Sequence, residues 1–123
     1  MEQQELRKGN LVEYHSRYFK IERLSGDFAK IKSIDNKINL LAKIKKLIPI
    51  KLTTEIILSF GLSEKDENIF SKEDNSFAIL RENDCLYHFI FHFRLYYVHQ
   101  IQNLHYVQNG KELQINSKLF PNP

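Results

Sequence analysis

The sequence predicts an α+β fold in which a β-rich half, residues 1–50, precedes a helix–hairpin–helix half, residues 51–123. Short apolar or alternating runs separated by turn residues fill the first half, as in small β-sheets. A helix-like run follows Pro49, and an apolar period of 3.6 residues begins near residue 94. A length of 123 residues suits one domain with its own core. We therefore expect a single domain over residues 1–123.

The β-rich half contains five runs that predict strands, at residues 10–14, 17–24, 28–34, 38–41 and 45–50. Turn residues separate them, for example at residues 25–27 and 35–37. Five short strands at this spacing predict a small curled sheet or an SH3-like barrel.

The second half begins with a predicted two-turn helix at residues 52–61, with Thr53 as N-cap and Gly61 as the residue that ends it. A charged loop is expected at residues 63–68. Strands follow at residues 68–71, 77–80 and 86–93, and residues 81–84 form a hairpin turn between the last two. The period of residues 94–109 predicts a C-terminal amphipathic helix. Residues 113–115 predict an edge strand, and residues 120–123 a loose tail.

Composition favours a folded protein of the cell interior. Apolar residues make up 42% and charged residues 27% of the chain, which is close to globular averages. A lone cysteine, Cys85, cannot form an intramolecular disulfide, so a cytoplasmic location is expected. The residues after Met1 lack the apolar region of a secretory signal, and no apolar run approaches the ~18 residues of a membrane span. We expect no membrane partner.

The basic residues indicate a candidate binding surface. Residues 1–60 carry a formal charge of +5 and residues 61–123 a charge of −2. Because side chains alternate along a strand, the lysines of residues 17–24 and 28–34 should gather on the outer face of the sheet. Ordinary solubilising lysines are the alternative explanation. The candidate contacts to nucleic acid or nucleoprotein are Arg17, Lys20, Lys30, Lys32, Lys43, Lys45 and Lys46.

Aromatic residues add two candidate contacts. Tyr18 lies among basic residues, a composition typical of surfaces that pair phosphates with lysine and stack bases on rings. Tyr96 lies in the segment predicted as the C-terminal helix and is a candidate partner-binding residue, because tyrosine on a helix face is a favoured anchor for protein partners. Tyr97 falls on the apolar stripe and is expected in the core.

Residues with catalytic or metal-binding potential lack the spacing that such chemistry needs. His88 and His92 on one strand would stand about 13 Å apart, and His99 and His105 would face different sides of a helix. We therefore expect structural histidines, no metal and no cofactor. Cys85 follows Asp84, whose charge disfavours a thiolate, and should be half-buried. The sequence contains neither a nucleophile elbow nor a phosphate-binding loop, so we predict a non-enzymatic protein. A small enzyme is the least favoured of the functions considered.

Three separated blocks of the sequence carry a resemblance. They are ELRKGNLV at residues 5–12, IPIKLT at residues 48–53 leading into the helix that ends at Gly61, and YVHQIQNL at residues 97–104 leading into NGKEL at residues 109–113. Together, in this order, they resemble a group of small phage and prophage proteins of Bacteroidetes bacteria. The resemblance implies a phage-encoded binding protein, foremost an anti-CRISPR-like inhibitor of a host nuclease or ribonucleoprotein complex. The alternative is an SH3-like nucleic-acid-binding accessory protein for phage replication or packaging, acting on RNA or DNA. The oligomeric state is left open.

Overall fold

A computed structural model describes residues 6–74, 76–89 and 93–121, and the α+β prediction is confirmed at the level of fold class. Two antiparallel five-stranded sheets and two α-helices account for most of the regular structure in these ranges. The chain divides into two compact units. The first contains residues up to 51 with residues 97–103, and the second contains residues 52–96 with residues 104–121. The expectation of a single domain stays a prediction.

The first unit holds a sheet in the order β4-β3-β2-β1-β5. Every neighbouring pair in it is antiparallel. The strands are β1 (Leu11–Tyr14), β2 (Arg17–Ser25), β3 (Phe28–Ser33), β4 (Asn39–Lys43) and β5 (Ile48–Pro49).

Alternating apolar residues decide which face of this sheet is buried. Phe19, Ile21, Ala29 and Ile31 occur at every second position of β2 and β3 and are almost fully buried. Cross-strand pairs bring them together, since Ile21 lies opposite Ile31. Burial of one face of the sheet supplies the main driving force for folding. The core cluster is completed by Leu6, Val12, Ala42, Ile44 and Leu47.

The predicted strand at residues 45–50 is wrong in its first half. A 3₁₀ turn at Ile44–Lys46 precedes β5, which is only two residues long. The Ile44 N–H donates to the carbonyl of Asp27 at 2.8 Å, and the Leu47 N–H donates to the carbonyl of Ile44 at 3.0 Å. These bonds bend the chain so that Ile44 and Leu47 both reach the core, which an extended strand could not achieve at a spacing of three.

Helix α2 (Val98–Asn109) contributes residues 98–103 to the first unit and residues 104–109 to the second. In the first unit, hydrogen bonds of side-chain amides join it to the chain around the start of β1. Gln102 accepts from the Leu11 N–H at 2.8 Å and donates to the Gly9 carbonyl at 3.0 Å. Asn10 donates to the side chain of Asn103 at 2.7 Å. These hydrogen bonds satisfy polar groups that would otherwise be buried without partners.

The second unit contains helix α1 and a sheet in the order β10-β9-β8-β7-β6, again antiparallel throughout. Its elements are α1 (Thr54–Ser59), β6 (Ser63–Asp66), β7 (Ile69–Ser71), β8 (Ala78–Glu82), β9 (Cys85–His88) and β10 (Arg94–Leu95).

Helix α1 begins and ends where the sequence predicts. The Thr53 hydroxyl accepts from the Ile56 N–H at 3.2 Å, which satisfies one of the free N–H groups of the first turn. Gly61 follows the helix with φ of 83°, a left-handed conformation that glycine adopts without steric cost. The N-cap and the stop signal are therefore confirmed.

The strands of the second unit differ from the prediction in three places. The expected charged loop contains β6, which is fully exposed and pairs with β7. In place of the expected strand at residues 86–93, β9 ends at His88, whose N–H donates to the carbonyl of Phe93 at 2.8 Å, and residues 90–92 of the expected strand lie outside the described residues. Arg94 and Leu95 then pair back onto β9 as β10, so α2 starts at Val98 rather than at residue 94.

The hairpin expected at residues 81–84 is confirmed between β8 and β9. Asn83 and Asp84 occupy its two turn positions with φ of 52° and 63°. Two successive residues with positive φ match the twist of antiparallel strands, and asparagine and aspartate tolerate this conformation best after glycine.

Residues 113–121 differ from the edge strand and tail that the sequence predicts, and residues 122–123 of that tail lie outside the described residues. Residues 113–115 form no strand; instead the Asn116 N–H donates to the carbonyl of Ser59 at 2.7 Å. Phe120 is buried, and its ring meets the Phe60 ring edge to face at a centroid distance of 6.4 Å. Ser59, Phe60 and residues 113–121 all belong to the second unit, and Phe120 is one of its core residues.

Candidate nucleic-acid interface

The outer face of the first sheet carries basic residues in adjacent cross-strand rows. Lys20 of β2 lies directly opposite Lys32 of β3, and Arg23 lies directly opposite Lys30. In the next row along β3, Lys43 of β4 lies opposite Phe28. We call this set the basic face: Lys20, Arg23, Lys30, Lys32 and Lys43.

A β-bulge determines the membership of the basic face. The register of β2 against β3 shifts between Ile21 and Arg23, and Glu22 is the extra residue. The shift turns Arg23 outward, where strict alternation would have placed it with Ile21 toward the core. Sequence reasoning missed Arg23. The signal was the apolar spacing, which changes from two between Phe19 and Ile21 to three between Ile21 and Leu24.

Like charges face each other in two consecutive rows of this face. Like-charged side chains directly opposite on neighbouring strands destabilise a sheet. Within the described ranges, none of the five basic residues has a carboxylate oxygen within 4.0 Å. Glu13, opposite Tyr18, also lies on this face by register, and Glu22 follows Lys20 by two positions along β2. The net charge of the rows is nevertheless positive, and an anionic ligand would relieve the repulsion.

Apolar side chains stand among these cations. Leu41 lies opposite Lys30 and is 68% exposed, and Phe28 lies opposite Lys43 and is 39% exposed. Tyr18 is half-buried on the same face, two residues before Lys20. The surface therefore alternates positive charge with apolar contact area, a combination that proteins use to bind single nucleic-acid strands.

The inner face of the sheet explains why the outer rows have fixed positions. Lys20, Lys30 and Lys43 are each flanked along the chain by two buried apolar residues, such as Ala29 and Ile31 on either side of Lys30. A slip of one residue would bury the basic side chains and expose the core, so the register is strongly specified.

Three predicted basic residues lie off the basic face. Arg17 pairs with Tyr14 at the end of the β1–β2 hairpin and has the opposite parity to Lys20. Lys45 and Lys46 are exposed on the 3₁₀ turn, outside the paired rows. Lys20, Lys30, Lys32 and Lys43 are brought together.

Tyr96 lies in the second unit and is 48% exposed. The guanidinium carbon of Arg94 sits 4.5 Å from the centre of its ring, a cation–π arrangement. Tyr97, expected in the core, is instead 37% exposed, because the buried stripe of this part of α2 is formed by Val98 and Ile101.

The histidines of the second unit are built into its packing. His88 is buried, and its Nε2 lies 2.8 Å from Oε1 of Gln108. The Phe77 ring lies between two histidine rings, at 5.4 Å from His88 and 5.1 Å from His105. Burial lowers the pKa of His105, and its Nδ1 lies 2.9 Å from the carbonyl of Lys111. These contacts give both histidines a structural role.

His99 of the first unit is buried and stacks on the Tyr97 ring at 5.9 Å, and Cys85 is half-buried at the start of β9, as predicted. His92 lies outside the described residues. Among the residues that are described, no three histidine, cysteine or carboxylate side chains assemble into a group able to hold a metal ion.

A cavity of about 370 Å³ lies in the second unit. Ile69, Phe77 and Phe89 give it an apolar lining, and His88 and Gln108 reach it while hydrogen-bonded to each other. The like-charged rows of the basic face have no carboxylate partner within the part of the chain that the structure describes, and we take this face as the candidate site.

Neither the family models, nor the curated proteins, nor the solved structures that were compared contain a match to this chain. No helix in the described part of the chain is both long and apolar enough to cross a membrane.

Proposed function

We propose that the protein is a non-enzymatic nucleic-acid-binding protein that contacts phosphates through the basic face. The two consecutive rows of like-charged pairs, Lys20 with Lys32 and Arg23 with Lys30, carry this proposal. A fold gains nothing from four cations placed opposite one another on a sheet. A polyanion gains several contacts from the same arrangement, and each contact releases counterions from the nucleic acid.

We also propose that the first unit is SH3-like. The strand order β4-β3-β2-β1-β5 and the 3₁₀ turn directly before the short last strand support this assignment. Small curled sheets of this size expose one face with a fixed register, which suits them to binding extended ligands.

The salt dependence of binding tests the proposal. If all five cations of the basic face contact phosphates of a single strand, the logarithm of the association constant should fall with the logarithm of salt concentration with a slope of about −3.5. Fluorescence anisotropy with labelled RNA and DNA oligonucleotides measures this slope. Salt-insensitive binding, or no binding to any oligonucleotide, would overturn the proposal.

A pair of double variants assigns the binding to the face. Arg23→Ala with Lys30→Ala should reduce affinity about tenfold or more and lower the magnitude of the salt slope by about 1.4, because two phosphate contacts are lost. Lys111→Ala with Lys118→Ala removes the same charge from exposed positions of the second unit and should change affinity less than about twofold. Equal losses of affinity in the two double variants would show that binding depends on net charge alone and not on the basic face.

A second candidate is the phage-encoded, anti-CRISPR-like inhibitor that binds a host defence nucleoprotein. The resemblance to phage proteins supports it, and so does the exposed Tyr96 under the Arg94 guanidinium, since tyrosine and arginine dominate protein-binding hot spots. The inhibitor would use the basic face toward the guide RNA and Tyr96 toward protein.

This second candidate predicts a stoichiometric complex with a host RNA-guided nuclease and loss of DNA cleavage. Tyr96→Ala should weaken the complex about tenfold or more while leaving binding to free oligonucleotides unchanged. Tyr106→Ala, at a similarly exposed tyrosine, is the matched control. Unaffected cleavage together with no complex in gel filtration would contradict the inhibitor.

A further inference from the structure

We infer that the basic face binds an extended single strand of nucleic acid in preference to a duplex, an inference that rests on the proposed function. The rows of this face place apolar side chains beside the cations, Leu41 beside Lys30 and Phe28 beside Lys43. Tyr18 adds a ring at the opposite end, beyond Lys20. Along the strands, the first row therefore holds the Tyr18 ring, and the second holds the cations Lys20 and Lys32. The third row holds Arg23, Lys30 and Leu41, and the fourth holds the Phe28 ring with Lys43.

The spacing of the rows fits a chain of nucleotides laid along the strands. Outward residues on one strand are two positions apart, or about 6.6 Å, as Lys32, Lys30 and Phe28 are on β3. From the row of Tyr18 to the row of Phe28 the track is therefore about 20 Å long. That length suits about four nucleotides, the lower end of site sizes for a small β-barrel.

The exposed apolar groups decide between a single strand and a duplex. In a duplex the bases are stacked inside, so phosphates and sugars would meet Phe28 and Leu41 and leave their apolar surface poorly matched. In a single strand each base has a free π-face that stacks on a ring while the adjoining phosphate meets a cation. Arg23 also offers a planar guanidinium on which a base can stack.

Glu22 gives an internal check on the charge argument. Glu22 is half-buried, follows Lys20 by two positions and directly precedes Arg23 on β2, so its negative charge lies close to the cations and repels phosphates. Glu22→Gln should therefore raise affinity for single strands and duplexes alike, by about twofold to fivefold. It tests the location of the site and does not distinguish the two kinds of nucleic acid.

The decisive experiment compares a 12-nucleotide strand with the duplex of the same sequence, in RNA and in DNA, by anisotropy at one salt concentration. We expect at least one of the single strands to bind about tenfold more tightly than its own duplex. Phe28→Ala should weaken single-strand binding about fivefold or more and duplex binding less than about twofold. Leu119→Ala, at an exposed apolar residue of the second unit, should change neither.

Two results would overturn this inference. One is a duplex that binds as tightly as the single strand; the other is a Phe28→Ala variant with unchanged single-strand affinity and an unchanged circular dichroism spectrum. If oligonucleotide binding nevertheless depends on salt and is weakened by Arg23→Ala with Lys30→Ala, the proposed function stands, but the preference for single strands over duplexes does not. If no oligonucleotide binds at all, the proposed function itself fails. Comparison of the RNA and DNA strands reports whether the 2′-hydroxyl contributes.

Discussion

Replacement of Gln102 by leucine should destabilise the protein by about 3 kcal/mol. Gln102 is 3% exposed, and its amide satisfies two backbone groups near β1: the Leu11 N–H at 2.8 Å and the Gly9 carbonyl at 3.0 Å. Gln102→Leu leaves both groups without these partners. An unsatisfied buried group costs about 1–3 kcal/mol, and because Gly9 is half-buried its carbonyl should fall at the lower end. Leucine is close to glutamine in size, so the loss arises from hydrogen bonding rather than from a cavity.

Urea unfolding followed by circular dichroism at 222 nm measures this loss, with unchanged m-values as the check on the comparison. Gln114→Leu makes the same substitution at an exposed position and should change the free energy of unfolding by less than about 0.5 kcal/mol. A loss below about 0.5 kcal/mol for Gln102→Leu, or an equal loss in the control, would refute the argument.

Gln102→Glu gives an independent test through pH. It keeps an oxygen for the Leu11 N–H but, when ionised, places a negative charge at the Gly9 carbonyl in a buried site. Burial should raise the folded-state pKa of the introduced carboxyl above its unfolded value, so the stability of the variant relative to the wild type is highest at low pH and falls as pH rises. A variant whose stability relative to the wild type does not depend on pH would contradict the buried hydrogen-bond geometry.

Three further predictions concern separate parts of the chain. Thr53→Ala should cost about 1 kcal/mol because it removes the N-cap of α1, whereas Thr53→Ser should retain most of the stability; thermal unfolding distinguishes them. Burial, with a smaller effect of Lys72, lowers the pKa of His105 against the opposing effects of the Lys111 carbonyl, Glu112 and Asp74. The unfolded state then binds more protons, so the free energy of unfolding should fall as pH drops below about 6.5, and His105→Gln should reduce this dependence in urea titrations at several pH values. Lys32→Glu should raise the free energy of unfolding by about 0.5 kcal/mol at low salt, by placing an opposite charge across from Lys20, and yet weaken oligonucleotide binding.

Elements with local signals were predicted well from the sequence. Helix α1 has its cap in Thr53 and its stop in Gly61, and the β8–β9 hairpin has Asn83 and Asp84 at the positions that need positive φ. Such signals act over a few residues and therefore need no knowledge of distant parts of the chain.

Elements that depend on distant partners were predicted poorly. β6 has no apolar residue facing a core and exists because β7 pairs with it. β10 interrupts a continuous helical pattern because Arg94 and Leu95 complete the sheet beside β9. Pairing with a neighbouring strand satisfies backbone groups whatever the side chains are, so the pattern of the segment alone does not reveal it.

For the candidate site, the sequence by itself determined that Lys20, Lys30 and Lys32 face outward, because alternation with Phe19, Ile21, Ala29 and Ile31 leaves them no other side of the strand. Only the tertiary structure decided which cations share a row. The bulge at Glu22 shifts the register by one and brings Arg23 opposite Lys30, and the 3₁₀ turn removes Lys45 and Lys46 from the paired strands. Register and bulges depend on the pairing of two strands, and that pairing is a property of the folded sheet rather than of either strand's sequence.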